Sequence, residues 1–345
     1  GAAADDLYEM KDFERAIASA RKLVDRDPAS DRELRRSAWA VVAHSSIDIA
    51  QYEDAEFAYS NVLQLTPEDH ESRQAIIDGL AASIYKQAEQ ANLLEDYRAA
   101  AGHFLRIKSV APTSKIRSGA EYDAAAALMK LEDWAMASTV LEEFRVSHPD
   151  HDLSADATKQ LAFIYRKDGQ TSRSAAEHER IAAEATDPEL ARDALLTAAE
   201  LYDEVRVVED AIRVYELYVD SYPRPLDIAM ETRQRLSEIY HEQMDYQRFF
   251  DELNEMVEED RNAGQDRTDR SRFLAAKAAL VLAERDFKAF ARLELTQPFE
   301  ERLALKQDSM DATLAGLEAL VTYQVAEVTA AATYYIAEVY MNFSV

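Results

Sequence analysis

The chain repeats itself, and the interval of that repeat limits its fold more than any other feature. An aromatic residue is followed by a small residue three positions later and a bulky one four further on. A proline comes twelve residues after the small one. Tyr52, Ala55, Tyr59 and Pro67 follow this pattern, as do Tyr97, Ala100, Phe104 and Pro112, and Trp134, Ala137, Leu141 and Pro149. Phe13, Ala16, Ala20 and Pro28 fit with alanine at the bulky place, and Val208, Ala211, Tyr215 and Pro223 with valine at the aromatic one. Degenerate copies put Ser174, Phe249 and Phe290 at the small position. The anchors at 16, 55, 100, 137, 174, 211, 249 and 290 are 39, 45, 37, 37, 37, 38 and 41 residues apart. Self-similarity at this period is the mark of an array of stacked units.

A second helix precedes each anchor, with a small residue three before a tyrosine: Ala82 and Tyr85, Ala162 and Tyr165, Ala199 and Tyr202, Ser237 and Tyr240. The last three tyrosines lie nine residues before Ser174, Ala211 and Phe249. Each unit reads as an antiparallel helix pair in which small residues permit close approach, aromatics fill the gaps, and proline ends the second helix.

The A-x3-F…P ending resembles the tetratricopeptide repeat family. The resemblance covers roughly residues 5 to 298, with residues 334–345 like the start of another first helix. It implies an all-α, right-handed α-solenoid of about eight helix pairs over 1–298, and a long helical segment over 299–345 that begins further repeats. Family repeats have 34 residues, so most units here carry about three more, placed after the proline as in Ser147-His148-Pro149-Asp150-His151-Asp152. That length, with Tyr222-Pro223-Arg224-Pro225, is similar to the longer repeats of bacterial envelope proteins such as the outer-membrane assembly lipoprotein and the Tol–Pal coordinator. The resemblance implies a periplasmic or envelope-associated setting, with the cytoplasm as the alternative.

Composition agrees. Seven glycines and eight prolines among 345 residues are about 4%, against ~12% in ordinary usage, too few turn residues for a sheet-rich fold. With 66 acids, 39 bases and a formal charge of −27, the chain has the wrong sign for nucleic acid or an anionic membrane. The 17 tyrosines and 12 phenylalanines mostly occupy core positions of the repeat and are no stacking platform for single strands. Without cysteine there is no disulfide, thiolate metal site or cysteine nucleophile. The apolar run Val328–Ala337 is far short of the ~20 residues a membrane helix needs, and no basic stretch with an apolar core opens the chain.

Both ends read as cut. Gly1-Ala2-Ala3-Ala4 fits a cloning remnant, and Leu7 and Tyr8 end a first helix whose earlier turns are missing. Tyr334, Tyr335, Ile336, Ala337 and Tyr340 resemble a first helix without its partner. Solenoid ends normally carry polar caps; a piece of a longer array is expected, and an open reading frame ending at Val345 would contradict it. Met310, Leu314, Leu317, Val321, Val325 and Val328 recur at helical spacing, giving one long amphipathic helix or two kinked near the middle. Its apolar face would be partly unpaired, and a homodimer through it is expected.

No catalytic motif emerges. Glycines only at 1, 79, 102, 119, 169, 264 and 316 allow no dinucleotide fingerprint, phosphate loop or nucleophile elbow. His241-Glu242-Gln243-Met244-Asp245 approaches H-E-x-x-H, with aspartate replacing the second histidine. His148, His151 and Asp152 share an inter-repeat loop with no fourth metal ligand. Asn342-Phe343-Ser344 is a glycosylation triplet without meaning in a bacterial source. No catalytic residue, cofactor or metal is assigned.

By family resemblance, first helices line the concave groove through positions nine, six and two before the tyrosine and one after it. These are Asp156, Lys159, Phe163 and Arg166; Asp193, Leu196, Glu200 and Asp203; and Glu231, Gln234, Glu238 and His241. Leu128 takes the tyrosine's place for Gly119, Tyr122, Ala126 and Met129, and Tyr85 gives Ile76, Gly79, Ser83 and Lys86. The early groove is small and apolar and the later one acidic, unless the acids only solvate a surface. The positions contain no asparagine, so the family's carboxylate clamp is not supported. The expected function is a non-enzymatic scaffold of a bacterial envelope assembly holding a basic protein or peptide segment. The alternatives are a docking arm of a larger protein and an unrecognised hydrolase centred on His241.

Overall fold

A computed structural model describes residues 2–26 and 31–343. Pro28, Gly1, Ser344 and Val345, used in the reading above, lie outside the described residues. Among the described residues the structure has seventeen α-helices, one 3-10 turn and no strand, so the chain is all-helical as its repeat requires. It divides into two compact units, up to Ile181 and from Ala182.

In the first unit, α1 (Ala2–Glu9) pairs with α2 (Phe13–Arg26), and α3 (Arg32–Asp48) with α4 (Tyr52–Leu65). Next come α5 (Arg73–Leu93) with α6 (Tyr97–Val110), α7 (Arg117–Lys130) with α8 (Trp134–Ser147), and α9 (Ser154–Lys167) with α10 (Thr171–Glu184). The second unit contains α11 (Pro188–Glu204), α12 (Val208–Ser221), α13 (Leu226–Glu242) and α14 (Tyr246–Asn262). It continues through α15 (Asp269–Ala291), α16 (Phe299–Val321) and α17 (Ala326–Phe343).

One turn joins the members of every pair from α1–α2 to α13–α14. The second residue after the first helix adopts a left-handed backbone: Lys11, Ala50, Glu95, Glu132, Gly169, Arg206 and Met244, with φ of 56° to 74°. The next residue's N–H then reaches back five positions, Asp133 to the Leu128 carbonyl at 3.0 Å and Asp245 to Tyr240 at 2.9 Å, for example. This 6→1 bond satisfies an orphan carbonyl at the helix end. The same residue opens the next helix, and where it is aspartate its carboxylate caps that helix: Asp96 accepts from Ala99 N–H, Asp133 from Met136, Asp245 from Arg248. Each acceptor of the 6→1 bond lies nine residues before an anchor, from Leu7 for Ala16 to Tyr240 for Phe249. The hinge therefore aligns the small anchor against the first helix. Ala16, Ala55, Ala100, Ala137, Ser174 and Ala211 are fully buried there.

The connections between pairs use a different cap. In the first unit His70 Nδ1 accepts from Ser72 N–H at 3.1 Å, Ser114 Oγ from Ile116 N–H at 3.3 Å, and His151 Nδ1 from Leu153 N–H at 3.1 Å. His151 thus serves a helix start, while His148 Nε2 lies 3.1 Å from the buried Glu121 carboxylate. The continuous core of this unit includes Phe104, Ile107, Leu141, Phe144, Leu161 and Tyr165. Phe144→Ala-type truncations in such cores cost about 3–5 kcal/mol. The acids that enter it are neutralised: Glu177 takes both Arg145 guanidinium nitrogens at 2.5 and 2.9 Å, and Glu56 those of Arg106 at 2.5 and 3.0 Å.

Two parts of the sequence reading need correction. The 45-residue interval from Ala55 to Ala100 lengthens a helix rather than a loop: α5 has 21 residues against 14 in α7, about 10 Å more. Its hinge acceptor is Ala91, six residues beyond Tyr85. Ile76 and Ser83 accordingly lie in the interior, and a Cβ at Gly79 would meet the Tyr59 ring at 2.5 Å. The anchor at Phe290, second, lies at the end of the unbroken 23-residue α15. Asp286-Phe287 imitates a hinge, but a 14-residue partner helix begun there would enclose Pro298, and an interior proline costs ~3 kcal/mol. The chain keeps one helix instead and turns before Pro298.

The C-terminal segment is two helices, broken at Thr322–Val325 around Gln324 (φ 56°). Its apolar face is largely covered. Leu317 and Val328 are buried, and Met310, Leu314 and Val325 pack on that cluster with Phe290. Of the six, Val321 alone is exposed, at 45%. The packing of α15 against α16 and α17 covers most of these six residues, while Leu305, Tyr334 and Tyr340 of the same segment stay exposed.

The hinge makes two opposite demands testable in one repeat. Glu132→Gly, which relieves a left-handed side chain, should raise stability by about 0.5–1 kcal/mol. Asp133→Ala, which deletes the cap, should lower it by about 1 kcal/mol. Urea midpoints at unchanged m-value report both.

Candidate interaction groove

With the register set by the hinges, the predicted groove residues separate into distinct environments. In the first unit Tyr85 and Tyr122 are equivalent, each bonded to the next first helix: the Tyr85 hydroxyl donates to Asp123, and the Tyr122 hydroxyl accepts from the Gln160 amide. Both hydroxyls are pushed up by burial and neighbouring carboxylates. Met129 is half-buried, while Asp156 and Arg166 are exposed. Asp156 pairs with Lys159 at 3.3 Å, and Arg166 donates to Thr171 Oγ1 at 3.1 Å. Phe163 is 47% exposed, its ring edge-on to Trp134 at 6.1 Å with Lys167 Nζ 5.5 Å above it. Ile76, in the core, is unavailable to any partner.

The second unit brings Glu200, Asp203 and Glu231 together. They line a cavity of about 560 Å³ with Leu196, Glu204, Arg206, Tyr215, Ile228, Thr232 and Arg235. The walls are successive turns of α11 and α13. Asp203 holds Arg235 through two bonds of 2.7 and 2.9 Å, and these hydrogen bonds, ahead of the surrounding charge, raise the guanidinium's proton affinity. Glu231 is paired to Arg270 at 2.8 Å. Glu200 has no ion-pair partner among the described residues. Desolvation in the wall, then the Asp203 carboxylate, push its pKa up. Burial and the same two carboxylates raise the Tyr215 hydroxyl. The cavity therefore concentrates negative charge on Glu200, between apolar surfaces of Leu196 and Ile228.

The other predicted residues lie elsewhere. Asp193 is exposed and tied to its neighbour Arg192 at 3.0 Å. Glu238 pairs with Arg235 at 3.1 Å and lines a 250 Å³ apolar pocket with Phe249, Leu253, Met256 and Phe273. His241 stands against the rings of Phe249 (5.0 Å) and Tyr246 (5.7 Å). Tyr246 and Glu284 line the same pocket as this ring. Among the described residues no three histidine, aspartate or glutamate side chains converge as a metal site.

Two features escaped the sequence reading. Arg233 is buried between Glu252 and Glu259, 2.9 Å from each, and burial pushes Glu252 up despite that pairing. Nothing in the spacing announces such a triad. The second is the basic face of α15, where Arg285, Lys288 and Arg292 fall on one side of the helix. Its signal was present in the position of Pro298, which forbids the hinge that would have divided these residues.

No family model matches the chain, and no curated protein matches it. Solved structures do align. PilW, described as a widely conserved type IV pilus biogenesis factor, is 16% identical over 64% of this chain and 91% of its own, with a TM-score of 0.29. A tetratricopeptide repeat protein from Parabacteroides merdae is 11% identical over 87% and 98%, TM-score 0.31. The Naa15/Naa10 complex bound to HypK-THB aligns at 16% identity over 98% of this chain and 54% of that one, TM-score 0.36. At these values the helical-pair fold rests on the chain's own hinges.

The raised pKa of Glu200 fixes a sign. Its neutral form is favoured in the native state, so stability is full below the normal carboxylate pKa and is lost as pH rises through the native one. Glu200→Gln should therefore raise the unfolding temperature at pH 7, and the gain should vanish near pH 4. Melting curves of both proteins across that range check it.

Proposed function

We propose that this chain is a non-enzymatic interaction scaffold, and that a basic side chain of a protein partner enters the α11–α13 cavity. The observation that carries the reading is Glu200: a carboxylate with no ion-pair partner among the described residues, on a cavity wall where Asp203 and Glu231 already hold cations. A charge held there at some expense to stability is complemented by an incoming arginine or lysine, whose apolar stem would lie along Leu196 and Ile228. Exposed Phe163 offers an apolar contact of the same kind in the first unit. The acids Asp193 and Glu238, already paired, contribute field more than contact.

The setting we propose is a bacterial envelope assembly, supported by the 37-residue repeat length and the Tyr222-Pro223-Arg224-Pro225 connection. Among the described residues no helix is long and apolar enough to cross a membrane. We also propose that residues 299–345 begin further repeats, since α16 and α17 pair and pack on α15 as helices of one array do.

The binding claim is tested by fluorescence anisotropy with labelled peptides that carry one arginine between leucines, or citrulline in its place. The arginine peptide should bind at least about tenfold tighter, ~1.4 kcal/mol, and Glu200→Lys should abolish that preference. Equal affinities for the two peptides would sink the reading.

A further inference from the structure

The second unit also contains a site of the opposite sign, between α13 and α15 above α14. In other pairs the anchor of the second helix is alanine or serine and the helices close tightly. In α14 the anchor is Phe249, whose ring fits no such contact. It lines two adjoining spaces, the 250 Å³ apolar pocket and a 520 Å³ pocket that opens beside His241. Val281 lines both as well. The result is one groove, apolar over Leu253, Met256 and Phe273 and cationic at its mouth.

The mouth is formed by successive turns of α15. Arg285 lies 4.8 Å over the Phe250 ring, and its one ion pair among the described residues is with its exposed neighbour Asp286 at 3.0 Å. Lys288 and Arg292 are exposed and have no ion-pair partner among the described residues. The negative end of the α15 dipole favours both cations where they stand, so they need no carboxylate of their own. In a chain of net charge −27, where most arginines of this unit are paired with acids, two free cations beside an aromatic floor are a departure.

We infer that this groove binds an acidic segment of a protein partner, an apolar side chain seated on Phe249 and Phe273 and flanking carboxylates held by Lys288 and Arg292. The ligand is a peptide rather than a polynucleotide: the floor is apolar, and the charge of the whole chain repels a polyanion. A short acidic peptide meets the local field of the mouth, within about 8–10 Å, more than the distant one. The site is separate from the Glu200 cavity, and the two would recognise opposite charges.

The test uses the full chain and three labelled peptides sharing a Leu-Phe centre, flanked by Asp and Glu, by Asn and Gln, or by Lys. The acidic peptide should bind at least about tenfold tighter than the amide peptide, and more weakly as salt rises. The double variant Lys288→Glu with Arg292→Glu, at exposed positions whose folding circular dichroism verifies, should erase that difference. Glu200→Lys should leave it intact, which keeps this site's failure distinct from that of the acidic cavity. Equal binding of acidic and amide peptides, or an undisturbed preference in the double variant, overturns the inference. So does sedimentation showing that the chain self-associates at low salt through Lys288 and Arg292, since the occupant would then be a second copy.

Discussion

Everything regular in this molecule follows from a backbone hydrogen bond that spans five residues. It closes each helix pair from Leu7–Asp12 to Tyr240–Asp245 and sets the distance from the end of one helix to the small anchor of the next. Because the bond requires one left-handed residue, it also sets where the chain reverses. Only at Gly169 is that residue a glycine in the seven hinges. The scarcity of glycine that marks the composition thus coexists with seven turns that would each prefer one.

The repeat was legible because proline and small residues are its punctuation, and both are visible without coordinates. The helix pairs of the first unit follow from that spacing. The mistakes came where one signal stood for two structures. Tyr85 follows a small residue by three, as Tyr165 does, yet its hinge falls six residues later, as it does after Tyr122 in the shorter α7. Asp286-Phe287 has the chemistry of a hinge, but helix propensity through Ala283-Glu284-Arg285 and the nearby Pro298 keep α15 whole. The pairing of Arg233 with two glutamates depends on contacts between helices and has no periodic trace.

Charge in this chain is organised by helix rather than spread over the surface. First helices α11 and α13 turn carboxylates into one cavity, and α15 turns cations toward the next. Interior acids are matched with arginines, singly as at Glu177 or two to one as at Arg233, which is how an interior built from helix pairs tolerates them: a buried carboxylate deprived of its guanidinium would cost about 3–5 kcal/mol. Glu200 on one side and Lys288 with Arg292 on the other, without ion-pair partners among the described residues, line pockets that a ligand can reach.

The hinges also separate two properties that most binding surfaces combine. Left-handed residues such as Glu95, Glu132 and Met244 face solvent at the ends of the pairs, away from the walls of both cavities. Their strain bears on how readily one pair tilts against its own partner helix, while the groove side chains bear on what is bound. Arg206 is both a hinge residue and part of the Glu200 cavity wall; at the other hinges compliance and recognition are written in different residues, and natural variation there can adjust the stiffness of a pair without altering its choice of partner.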